Sequence, residues 1–126
     1  MRILITADLH YDIACSRRPT EELARRVCAQ QARQISEMAS EVDRVAAFLH
    51  HLPFREMVPQ GRPPRFAFAA AYMGADALSR VLLAAPKVTR VYCGQSHWKS
   101  THKIRHLTVV NVGSTYTQKH LEVLDL

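Results

Sequence analysis

Val88-Thr89-Arg90-Val91-Tyr92-Cys93-Gly94-Gln95-Ser96-His97 reads as a strand followed by a turn that ends in histidine. β-Branched and aromatic side chains favour extended backbone, and Gly94 closes the run without a Cβ, so backbone or ligand can approach closely. Two other apolar runs have the same form. Ile3-Leu4-Ile5-Thr6-Ala7 leads into Asp8-Leu9-His10, and Val45-Ala46-Ala47-Phe48-Leu49 leads into His50-His51-Leu52-Pro53. A histidine at the end of one apolar run is ordinary core packing. Three in one chain point to a shared site. In open α/β sheets, ligands bind in the crevice beyond the carboxyl ends of the strands. Asp8 and His10, two residues apart on an extended chain, fall on one face and can reach one ion. Imidazole nitrogen together with carboxylate oxygen suits zinc, iron or manganese.

Outward from these runs, helices and strands alternate, which predicts an α/β layered fold. Thr20 is a fitting N-cap, and Glu21 and Glu22 lie at the positive end of a helix that runs to about Ser40. Leu23, Val27 and Ile35, with Ala24, Cys28 and Ala32, give it an apolar stripe. Residues 42–49 are ambiguous, because Ala46 and Ala47 favour helix in a run that otherwise suits a strand. Pro53 to Pro64 holds four of the six prolines and reads as a semi-rigid surface loop. Phe66, Phe68 and Tyr72 after it read as packing residues. Gly74 to Ala85 reads as a helix with Leu78, Val81, Leu82 and Ala85 inward and Pro86 ending it. Strands are expected near 103–112 and 120–125, with Gly113-Ser114 starting their connection.

The whole chain, 1–126, is expected to form a single domain, and its 48% apolar share is that of a globular protein. No apolar run approaches the length of a membrane span, so no membrane partner is expected. The start, Met1-Arg2-Ile3, does not read as a secretory leader, and three cysteines suggest reduced thiols and a cytoplasmic protein. Seventeen basic against eleven acidic side chains give a net charge of +6, which favours anionic partners, a phosphate ester among them. The arginines are scattered and no nucleic-acid module is present, which speaks against nucleic acid as the partner.

The ordered set Ala7-Asp8-Leu9-His10, Leu49-His50-His51-Leu52-Pro53-Phe54 and Cys93-Gly94-Gln95-Ser96-His97 resembles the calcineurin-like metallophosphoesterases. Val109-Val110-Asn111-Val112-Gly113-Ser114 resembles the strand and turn that come after that family's last metal motif. The resemblance covers the N-terminal stretch and most of residues 42–126. It implies the family's layered α/β sandwich and a strand delivering His50. It also implies a divalent transition metal (Mn, Fe or Zn), as one or two ions. Asp8, His10 and His97 would hold the first ion. His50, or its neighbour His51, would hold the second, with Gln95 as a weak ligand where the family has histidine. Ser96 and Trp98 would flank the site, with packing the expected role of Trp98. His102, His106 and His120 match no family position and read as solvated surface histidines.

The chain departs from the family pattern in its middle. Its four glycines precede Arg62, Ala75, Gln95 and Ser114, so the family's Gly-Asp and Gly-Asn-His motifs are both absent. The sandwich is therefore expected to be incomplete. The function implied is phosphodiester or phosphomonoester hydrolysis by metal-activated water, with a weakened or mononuclear site and low activity. The other reading is a non-catalytic remnant that binds a partner or forms a homo-oligomer through exposed sheet edges.

Overall fold

A computed structural model describes residues 4–5, 20–61 and 76–124. Five strands form one mixed sheet: β1 (Leu4–Ile5), β2 (Val45–Phe48), β3 (Val88–Cys93), β4 (Ser100–Ile104) and β5 (Leu107–Asn111). Their order across the sheet is β1-β2-β3-β5-β4. The two helices among the described residues, α1 (Thr20–Ser40) and α2 (Asp76–Ala84), pack against each other. A single 3-10 turn spans Arg55–Met57. The chain is an α/β protein, as its alternating pattern requires.

β1, β2, β3 and β5 run parallel, with Ile5 opposite Phe48, Phe48 opposite Tyr92, and Tyr92 opposite Val110. Central parallel strands are covered on both faces and so read as near-continuous apolar runs. This is why β3 and β5 each end in three consecutive buried residues. Val88, Val91, Leu107 and Val109 are fully buried, and Leu82 of α2 and Ile35 of α1 close over them. Burying each such side chain contributes about 1.5–3 kcal/mol.

Lys87 links helix to sheet. Its Nζ donates to the carbonyls of Ala39 at 2.6 Å and Val42 at 2.9 Å, at and just past the end of α1. Those carbonyls lack helical partners and carry the negative end of the helix dipole, so an ammonium suits them. The carbonyl of Lys87 also receives the N–H of Val45 at 2.8 Å, which starts β2 beside β3.

Several expectations need correction. The strand expected at 103–112 is a hairpin: β4 and β5 pair antiparallel, Ile104 opposite Leu107, around a two-residue turn with Arg105 at φ 52°. No strand forms over residues 120–124, where Leu121 and Val123 stand 87% and 83% exposed. An alternating pattern makes a strand only where a neighbouring edge accepts its hydrogen bonds. The loop after His51 is not all surface, because Leu52, Pro53, Phe54 and Met57 are buried. Phe66, Phe68, Tyr72 and Gly74 lie outside the described residues. Among the described residues, no helix is long and apolar enough to cross a membrane.

Candidate metal site at the carboxyl edge of the sheet

Parallel pairing continues past the strand ends and brings two of the histidine-bearing segments together. Leu49 N donates to the Tyr92 carbonyl at 2.8 Å, and Gly94 N donates to the His50 carbonyl at 3.2 Å. The segments after β2 and β3 therefore leave the sheet side by side. β1 runs parallel to β2 and leaves at the same edge. Asp8 and His10 come after it in the chain but lie outside the described residues. His50 and His51 are half-buried, their rings edge to face at 5.1 Å and 77°.

The turn after β3 is tightly wound. Gln95 has φ 64° and His97 φ 56°, with Ser96 between them donating its N–H to the Gly94 carbonyl at 2.8 Å. Left-handed backbone at residues other than glycine costs about 1–3 kcal/mol each and persists only where the surroundings enforce it. Asn111, at the end of β5, enforces it here. Its Nδ2 donates to Ser96 Oγ at 2.5 Å, and that oxygen also accepts the Trp98 N–H at 3.3 Å. Ser96 is 6% exposed and Asn111 is fully buried. Gly113, at φ 66°, seals the other side: a Cβ there would run into the backbone of Lys99.

His97 is exposed, and its ring meets Tyr116 edge to face at 5.3 Å and 86°. Gln95 Oε1 is buried without a hydrogen-bond partner. So are Ser100 Oγ, Asn111 Oδ1 and His120 Nδ1, and these four complete the set among the described residues. All belong to one region. Gln95 comes directly after β3, Ser100 faces Asn111 across β4 and β5, and His120 N donates to Ser114 Oγ at 2.9 Å just beyond β5. Buried polar atoms normally find partners in protein or ordered water, so these four leave room for polar contacts in this region.

Cys93 stands beside this edge, at the end of β3. Burial pushes its thiol up to about 12, and Sγ lies 3.6 Å from the Val110 carbonyl. A thiol kept protonated by burial is a poor nucleophile at neutral pH.

Sequence reasoning anticipates the strand ends that carry His50, Gln95 and His97. It does not anticipate that Asn111 holds the turn, although Asn111 ends an apolar run as those residues do. No sequence signal marks Tyr116. Trp98, expected to pack, is 56% exposed. His102, His106 and His120, expected to be solvated, are half-buried, and His106 Nε2 lies 3.4 Å from the Ala85 carbonyl. Among the described residues, no three His, Cys, Asp or Glu side chains are grouped to hold a metal ion. Of the expected ligands, His50, His51, Gln95 and His97 lie among the described residues, and Asp8 and His10 lie outside them.

Comparison with known protein families finds no family model that matches this chain. Comparison with curated proteins likewise finds none that matches it.

Proposed function

We propose that the chain is a metal-dependent phosphoesterase of the calcineurin-like type, abridged in its middle and weak in activity. The observation that carries the reading is the hydrogen bond from Gly94 N to the His50 carbonyl, which joins two histidine-bearing segments at one edge of a parallel sheet. The buried, unpartnered oxygen of Gln95 in the same turn supports it. The donors fit a divalent transition metal of the Mn, Fe or Zn kind: His97 with Asp8 and His10 for one ion, His50 or His51 with Gln95 for a second.

When bound, such an ion lowers the pKa of water and offsets negative charge on a phosphate. The protein's own part is to hold the donors. Asn111 and Ser96 fix the turn that carries Gln95 and His97, and the +6 net charge draws phosphate esters in. A neutral amide is a poorer ligand than imidazole for these ions, so the second position binds weakly. The test is metal content and turnover of a chromogenic phosphodiester, with His97→Ala and His50→Ala beside the parent. Both quantities fall in His97→Ala. If neither variant differs from the parent in metal content or turnover, the reading fails.

A second reading is association without catalysis. β4 is last in the sheet, and an open edge recruits other strands. Lys103, exposed on that strand, opposes it. Light scattering separates the two, since a monomer at all concentrations removes the association reading.

A further inference from the structure

β4 is last in the sheet and has β5 as its one neighbour among the described strands. Ile104 and Leu107 close the hairpin across two residues, so the hydrogen-bonded pairs fall at Ile104, His102 and Ser100. The backbone amides of Thr101 and Lys103 therefore point away from β5. The side chains of Thr101 and Lys103 are exposed on one face of the strand. Ser100, His102 and Ile104 share the other face and are half-buried, with Ile104 packed against the core.

Residues 120–125, His-Leu-Glu-Val-Leu-Asp, alternate as a strand does. Among the described residues, no backbone hydrogen bond joins 121–124 to the sheet. Leu121 and Val123, two apart and so on one face of an extended chain, are 87% and 83% exposed. The segment is anchored at its start, where Ser114 Oγ accepts the His120 N–H at 2.9 Å and donates to the His120 carbonyl at 3.2 Å. Glu122 is paired with Lys99 at 3.0 Å. These contacts hold the segment beside the start of its own β4 without laying it along the strand.

The two stretches are also opposite in charge. Residues 99–105 hold Lys99, Lys103 and Arg105 and no carboxylate, whereas residues 120–125 hold Glu122 and Asp125 and no lysine or arginine. Lys103 thus opposes pairing with a like strand and favours pairing with this acidic one.

We infer that residues 121–125 of one copy of the chain add as a strand to the β4 edge of a second copy. This deepens the association reading and rests on the open edge of β4, not on the metal site. Main-chain hydrogen bonds to Thr101 and Lys103 supply affinity, as in other strand additions. Leu121 and Val123 turn to the face that carries His102 and Ile104 and leave water there.

The experiment follows the mass of the full chain by light scattering over a wide concentration range. Thr101→Pro removes one outward amide and leaves the β4–β5 ladder intact. Leu121→Asp combined with Val123→Asp spares the core, since both side chains are already exposed. Each of these variants is expected to weaken association about tenfold or more, with an unchanged circular dichroism spectrum. Lys103→Glu, a change at an exposed side chain, should weaken it as well. A mixture of Thr101→Pro with the double aspartate variant should associate more than either alone, because the intact segment of one meets the intact edge of the other. Loss in Thr101→Pro alone would mean that two β4 edges pair, and loss in the double aspartate variant alone would mean that two segments pair. Either result overturns the inference, as does a mixture no more associated than its components. Association that none of the variants weakens overturns the inference and spares the association reading. A monomer at every concentration removes both.

Discussion

Asn111 Nδ2 donates to Ser96 Oγ at 2.5 Å, joining the end of β5 to the turn that lifts Gln95 and His97 from the end of β3. One partner is fully buried and the other nearly so. The bond holds two left-handed residues in place on either side of Ser96. Removing either partner leaves a buried polar group unpaired, which costs about 1–3 kcal/mol. Ser96→Ala and Asn111→Ala should each lose that much in urea unfolding and bind zinc more weakly. The double variant should lose less than the sum of the two. Strict additivity would show that the pair is not coupled.

Gly113 and Gly61 both have positive φ, 66° and 71°, but only Gly113 lacks room for a Cβ. Gly61→Ala should cost on the order of 1 kcal/mol, the conformational cost alone. Gly113→Ala adds overpacking against Lys99 and should cost about 3 kcal/mol or more. Thermal unfolding of the two variants checks the difference, and equal costs would show that the close approach to Lys99 is not maintained.

Gln95→His places imidazole where an amide oxygen now lies buried without a partner. Histidine also tolerates left-handed backbone better than glutamine does. Zinc affinity should rise about tenfold, and phosphodiester turnover should rise with it. Calorimetric titration with zinc measures this. Unchanged affinity would mean that the amide does not face the metal position.

Lys87 Nζ meets the carbonyls of Ala39 and Val42 at 2.6 and 2.9 Å. Lys87→Met keeps the aliphatic stem and removes both hydrogen bonds and the charge at the helix end. A loss of about 1–3 kcal/mol is expected, with early fraying of α1 in hydrogen exchange. Uniform loss of protection across the chain would place the effect elsewhere.

Burial raises the Cys93 thiol from 9.0 to about 12. Below pH 9 the thiol is protonated in both folded and unfolded chains and contributes no pH dependence. Above it the unfolded chain ionises first, so stability falls as pH rises through the 9–12 window. The total loss is on the order of 4 kcal/mol. Cys93→Ala should flatten that part of the stability curve, and Cys93 should resist iodoacetamide at neutral pH until the protein unfolds. Rapid labelling of Cys93 in the folded chain would contradict the burial.

The elements with strong local signals were legible in the sequence. β3 occupies the residues its β-branched run marks, and α1 begins at its threonine. The hairpin of β4 and β5 was not legible, because Arg105-His106 carries none of the glycine, proline or asparagine that usually marks a turn. Residues 120–124 have a strand's alternation but pair with no strand of the sheet. Gln95 and His97 were legible as residues at a strand end, whereas their left-handed backbone and their dependence on Asn111 were not.

By itself, the sequence determined that residues 88–93 are extended, that a helix runs from Thr20 to Ser40, and that histidines follow the ends of two described strands, since those are properties of neighbouring residues. Only the tertiary structure decided that β2 and β3 lie side by side and in which register. That pairing makes the His50 carbonyl the acceptor for Gly94. The sequence does not encode it locally, because hydrogen bonds between these parallel strands join residues more than forty positions apart.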